Sequence, residues 1–102
     1  MVKHIVFFKI KEDIADKNQA INKVIETLSP LAEKIPEIKF YELGTNFADR
    51  DSAFDIALVS YFNSKEDLDT YRNHDLHKQA VEIIKPYIGK TAVVDYETNK
   101  NE

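Results

Sequence analysis

The chain of 102 residues contains no cysteine and no tryptophan, and it has only two glycines. Without cysteine it forms no disulfide and has no thiol for catalysis. A basic excess is also missing, because eighteen acidic residues outnumber fourteen basic ones and the net charge is −4. Proteins that bind nucleic acid usually carry a basic stripe, so we expect no nucleic-acid partner.

Long apolar runs are absent as well. No run approaches the roughly eighteen residues that a membrane-spanning helix needs. Residues 1–4 lead directly into an alternating apolar stretch and lack the basic and apolar regions of a secretory signal. We therefore expect a cytoplasmic protein without a membrane partner. The length fits one domain over residues 1–97, followed by a frayed tail over 98–102.

The first strand is predicted over residues 2–10, where β-branched and aromatic residues predominate. Val6 and Phe8 point to one face of this strand, and Ile5 and Phe7 point to the other. Helices of a small α+β domain usually cover only one face of the sheet, so the second apolar face needs another cover. This pattern favours a homodimer that forms through the open sheet face.

Apolar spacing along the rest of the chain predicts the order β-α-β-β-α-β. This is the order of the ferredoxin-like α+β fold, with a four-stranded antiparallel sheet and helices on one face. The predicted strands are 2–10, 37–47, 54–62 and 91–97, and the predicted helices are 16–35, a short helix after Ser64, and a helix from Asp75 to about Pro86.

Local signals refine these elements. Asp16, Ser64 and Asp75 are predicted helix N-caps. Pro30 predicts a kink or break in the first helix, since proline lacks the backbone donor. Gly44 lies inside a predicted strand, which indicates a bulge or a close approach of backbone.

Three histidines and one tyrosine form the candidate site: His4, Tyr71, His74 and His77. A desolvated, neutral His77 is suited to general-base chemistry, and the Tyr71 hydroxyl is suited to donating to a carbonyl oxygen. The structural alternative is that His4 and His77 bond to each other or to backbone and only fix a helix on the sheet.

Metal binding is the weaker reading of the same residues. His74 and His77 lie three residues apart, but no acidic side chain is committed to them as a ligand. We predict no metal and no cofactor, and we keep His74 as a candidate substrate-binding residue. Asp55 and Asp95 lie within predicted strands, where we expect them to face water or to pair with lysines such as Lys9.

Six segments resemble a known family in the right order: 2–11, 35–38, 43–46, 54–64, 71–77 and 93–96. The most distinctive is the segment that carries Tyr71, His74 and His77. Over nearly its whole length the chain resembles the stress-responsive dimeric α/β-barrel (Dabb) domain family. Asp75 stands where that family often has proline, and either residue can begin a helix.

The resemblance implies a homodimer in which two sheets face each other and enclose a barrel. Most members have no known activity. One plant member is a polyketide cyclase that closes its substrate by aldol condensation. Its catalytic histidine would correspond to His77, its second pocket histidine to His4, and its tyrosine to Tyr71.

Several functions remain open at this point. The leading hypothesis is a dimeric module without turnover that either binds a small ligand or is associated with stress. The alternative is a cofactor-independent enzyme acting on a small apolar carbonyl compound, with His77 as general base. A cofactor-independent monooxygenase rests on fold analogy alone, and an assembly role would require rings larger than a dimer.

Overall fold

The computed structural model describes residues 1–98. Its four strands are β1 (Val2–Ile10), β2 (Phe40–Thr45), β3 (Ile56–Phe62) and β4 (Ile88–Glu97). Its helices are α1 (Lys17–Leu28), α2 (Leu31–Lys34), α3 (Lys65–Asn73) and α4 (Asp75–Ile84), with a 3₁₀ turn at Lys85–Tyr87. The strands pair antiparallel in the order β2-β3-β1-β4. The predicted ferredoxin-like fold is confirmed.

The two faces of the sheet are covered unequally. Even-numbered residues of β1 and β3 lie under the helices, where Phe8, Leu58 and Phe62 are buried. The odd-numbered residues of β1 and β3, together with the residues paired with them on β2 and β4, form the open face. Four large side chains remain exposed there, one or two from each contributing strand: Phe7, Phe40, Val94 and Tyr96. Only one apolar layer is therefore closed within a single chain.

The helix ends confirm most of the local predictions. The Asp16 carboxylate accepts from the Gln19 amide at 3.0 Å, and the Ser64 hydroxyl accepts from the Asp67 amide at 3.1 Å. Pro30 separates α1 from α2, as the sequence predicts. No helix in the described part of the chain is long and apolar enough to cross a membrane.

Two predictions at element ends are wrong. Asp75 does not cap α4, because the side chain before it, His74, accepts the Leu76 amide. The frayed tail over 98–102 stays a prediction, and at its first residue the Thr98 amide donates to the Met1 carbonyl at 2.9 Å. The rest of the predicted tail lies outside the described residues. The last strand also begins earlier than predicted, because the 3₁₀ turn at Lys85–Tyr87 ends the helical segment.

Gly44 shows neither of the predicted backbone features within the chain. The pairing of β2 with β3 keeps its register from Phe40 to Thr45, so no bulge occurs there. A Cβ atom built on Gly44 would meet no atom within 4 Å. The space beside this glycine is open, on the face of the sheet that the helices leave uncovered.

Asp55 joins the loop before β3 to β1. Its Oδ2 accepts from the Ile10 amide at 2.8 Å, and its own amide donates to the Phe8 carbonyl at 2.8 Å. Its Oδ1 lies 3.8 Å from the Lys17 ammonium, so the lysine partner is Lys17 rather than the predicted Lys9. Asp55 therefore satisfies a buried amide where the β1–β3 ladder ends.

We expect Asp55→Ala to lower the free energy of unfolding by about 1–3 kcal/mol, because the buried Ile10 amide loses its acceptor. Asp51→Ala is the matched control. It removes an exposed carboxylate from the preceding turn and should cost no more than about 0.5 kcal/mol. Urea unfolding of both variants measures the difference, and equal costs would contradict this role.

Candidate functional site

A cavity of about 330 Å³ lies between the helices and the covered face of the sheet. Its walls come from β1, β3 and β4 on one side and from α1, α3 and α4 on the other. The exposed side chains Val81, Lys85 and Thr91 mark its mouth. The residues that line it are Val6, Phe8, Leu28, Leu58, Tyr71, His77, Val81, Ile84, Lys85, Ile88 and Thr91.

Helix α4 contributes one titratable side chain to the cavity wall, that of His77. Its Nδ1 donates to the Arg72 carbonyl at 3.1 Å. A carbonyl only accepts, so this bond places the proton of the neutral ring on Nδ1 and leaves the Nε2 lone pair available. Arg72 lies in the last turn of α3, where carbonyl groups have no partner within the helix.

The environment of His77 favours its neutral form. Burial of the ring lowers the pKa of His77 below its ordinary value, and the hydrogen bond to the Arg72 carbonyl opposes this shift in part. Tyr71 packs against the ring with a centroid distance of 4.4 Å. His77 is therefore an unprotonated base at neutral pH, with Nε2 as the basic atom.

Tyr71 forms the floor beside His77 and is only 1% exposed. Its hydroxyl lies 3.0 Å from that of Tyr41, on β2. Burial raises the pKa of both phenols, so both keep their protons at neutral pH. One of the two hydroxyls donates its proton to the other oxygen. The proton of the second hydroxyl has no acceptor among residues 1–98.

His4 lies on the same side of the sheet but does not line the cavity. Its Nδ1 bonds to Asp95 Oδ1 at 2.5 Å, and the other oxygen of Asp95 accepts from the Arg72 guanidinium. The rings of His4 and Tyr71 meet edge to face, with centroids 6.0 Å apart. His4 and His77 both contact the Tyr71 ring. Both are also linked to Arg72, His4 through Asp95 and His77 through the Arg72 carbonyl, and they do not bond to each other.

His74 has a different position from the one predicted. Its Nδ1 accepts from the Leu76 amide at 3.1 Å and so caps α4. It does not line the cavity, so its use as a substrate-binding residue stays a prediction that the geometry does not support. Among residues 1–98, no three histidine or acidic side chains are grouped as metal ligands.

Three contributing residues were missed from the sequence: Tyr41, Arg72 and Asp95. Asp95 is partly exposed to water, as one of the two alternatives predicted, but its ion-pair partners are His4 and Arg72 rather than a lysine. The sequence signal that could have identified Asp95 is a carboxylate within a strand, on the side of the strand that faces the helices. Using it requires the register of β1 with β4, which places Asp95 directly opposite His4.

Comparison with known sequences identifies the family. Residues 2–98 match the profile of the stress responsive A/B barrel domain. The chain belongs to this family. An uncharacterized protein from Streptomyces coelicolor is 26% identical over 97 residues, which is 95% of this chain and 99% of that protein.

Solved structures agree with the Dabb assignment. A dimeric protein of unknown function from Bacteroides fragilis is 34% identical, with a TM-score of 0.85 and 95% of each chain covered. Its fold is described as ferredoxin-like. Hydroxynitrile lyase from Passiflora edulis is 26% identical, with a TM-score of 0.81, over 99% of this chain and 95% of that one.

We expect His77 to titrate below 6.5 and to carry its proton on Nδ1. Nitrogen-detected NMR of the histidine rings measures both properties. The unfolded chain binds this proton at a higher pH than the folded chain does. Stability should therefore fall as the pH drops from about 6.5 through the folded-state pKa. In His77→Asn this part of the pH dependence should vanish, and a proton found on Nε2 would contradict the assignment.

Proposed function

We propose that this Dabb protein is a homodimer that binds a small, largely apolar molecule bearing one oxygen function in the cavity beside His77 and Tyr71. The observation that carries the proposal is an apolar cavity whose interior polar groups are these two adjacent side chains. Its volume of about 330 Å³ is at the lower end of ligand pockets, which suits a small molecule.

Two observations support the homodimer. The open face of the sheet leaves Phe7, Phe40, Val94 and Tyr96 between 39% and 57% exposed, and large apolar side chains grouped on one face mark an interaction surface. The similar protein from Bacteroides fragilis is described as dimeric.

The acidic balance and the lack of cysteine support a cytoplasmic protein without a nucleic-acid partner.

The polar pair fixes how a ligand would lie. When Tyr41 donates to Tyr71, the Tyr71 proton is available to an oxygen of the ligand. The Nε2 lone pair of His77 is then available to a hydroxyl or an acidic C–H of the same molecule. The apolar part of the ligand would contact Val6, Leu28 and Leu58.

A substitution at the mouth tests binding. We expect Val81→Phe to narrow the entrance and weaken binding of acetophenone at least about tenfold, while the fold is kept because Val81 is partly exposed. Ile83→Phe is the matched control on the outer side of α4. NMR shifts of the lining methyl groups report binding. No shifts in the unsubstituted protein with acetophenone or an aliphatic ketone panel would contradict the proposal.

The second candidate is an enzyme acting on a small carbonyl compound. The Nδ1–H form of His77, held by the Arg72 carbonyl, is the observation that favours it. In this reaction Nε2 removes a proton from the carbon next to the carbonyl, and the Tyr71 hydroxyl donates to the enolate oxygen that forms. Similarity to a hydroxynitrile lyase is compatible with such chemistry without deciding it.

Proton exchange separates this enzyme from a binding module. In D₂O, we expect the protein to accelerate deuterium incorporation into the methyl group of acetophenone. His77→Gln should slow this at least about 100-fold, the usual contribution of a general base. Lys78→Gln, an exposed neighbour on α4, should leave the rate unchanged. If the ligand binds but deuterium exchange is not accelerated, the protein is a binding module and this reaction is excluded.

A further inference from the structure

The loop after β2 presents a phenylalanine that contacts no other part of the described chain. Phe47 is 100% exposed. Its position is held from both sides, because the Asn46 amide group donates to the Ala48 carbonyl and its oxygen accepts the Ala48 amide, both at 2.9 Å. A solvated aromatic side chain on such a turn is suited to a partner, since little backbone freedom remains to be lost there on binding.

An unfilled groove lies beside this loop on the open face of the sheet. Its volume is about 450 Å³. Gly44, Ala57 and Phe7 stand side by side on neighbouring strands and form its floor. Phe54 forms a wall and packs on Phe7 with ring centroids 6.0 Å apart.

Gly44 leaves room in this groove that no described atom of the chain fills. Glycine within a strand costs about 0.5–1 kcal/mol, so it usually meets a local need. No bulge occurs here, no left-handed backbone is recorded for Gly44, and no described atom approaches its missing Cβ. Close approach from another molecule is the need that remains.

We propose that Phe47 of each subunit packs over Gly44 of its partner, in the groove formed with Phe7, Phe54 and Ala57. The inference rests on the proposed homodimer and identifies its anchor. Knob and groove lie on one chain, as a twofold interface requires, because such an interface joins the same patch of both copies. The groove also continues the exposed apolar face through Phe7.

Dilution experiments test the anchor. We expect Phe47→Ala to raise the dimer dissociation constant about 30-fold or more, the usual effect of a central aromatic anchor. Gly44→Val should have a similar effect by filling the groove. The double variant should lose less than the product of the two effects, because both remove one contact. Ile83→Ala, an exposed apolar residue on α4, is the control and should change nothing.

Cross-linking tests the contact by proximity, at a protein concentration high enough to keep the Phe47→Cys chain dimeric. The chain has no cysteine, so thiols can be placed singly. A Phe47→Cys chain mixed with an Ala57→Cys chain should form a mixed dimer with a short bis-maleimide linker. An Ile83→Cys chain should not replace Ala57→Cys in this reaction.

The outcomes separate the anchor from the dimer. A chain that stays monomeric at all concentrations would overturn both proposals. A dimer with an unchanged dissociation constant in Phe47→Ala and no mixed cross-link would overturn the anchor and leave the homodimer. Weakening by Phe47→Ala alone, with no effect of Gly44→Val, would place Phe47 elsewhere on the partner and overturn the groove assignment.

Discussion

The structure depends on one constraint: a sheet has two faces, and the helices of this chain cover only one of them. Strands β1 and β3 carry large apolar side chains on both sides. Packing of α1, α3 and α4 on one side forms the core and, where the packing is incomplete, the cavity. The other side leaves apolar area in water, whose burial is the main driving force for association.

Within the covered side, the end of α3 connects the candidate groups. Tyr71 contributes its ring and hydroxyl, and the next residue, Arg72, contributes a carbonyl to His77 and a guanidinium to Asp95. Asp95 in turn bonds His4. The partly exposed ion pair between Arg72 and Asp95 joins the end of α3 to β4. The tautomer of His77 therefore depends on how firmly one helix end is held.

Periodicity predicted the fold because the alternation in residues 2–10 and 54–62 and the helical spacing in 16–35 are local properties of the sequence. The caps Asp16 and Ser64 were also readable locally. The prediction for Asp75 is wrong because the neighbouring His74 accepts a first-turn amide and is itself the N-cap of α4. Pairing of His4 with Asp95 could not be read locally, since it depends on a strand register that joins positions 91 residues apart.

For the candidate site, the sequence identified His77 and Tyr71 but could not define their chemistry. Which nitrogen of His77 carries the proton depends on the Arg72 carbonyl, and carbonyl directions follow from where α3 ends. The Tyr41 hydroxyl reaches Tyr71 only because β2 lies at the edge of the sheet beside β3. Such contacts arise from tertiary packing, which cannot be predicted from a local residue pattern.

The alternation of β1 has a consequence for how this protein can change. Val6 and Phe8 face the cavity, while Phe7, between them, faces the opposite side. Neighbouring positions of β1 therefore contribute to separate surfaces, so a substitution that reshapes the cavity can leave the open face of the sheet unchanged. A single-residue insertion in the strand would exchange the two sets of side chains and disrupt both at once. Point substitution, rather than insertion, is thus the route by which β1 can evolve.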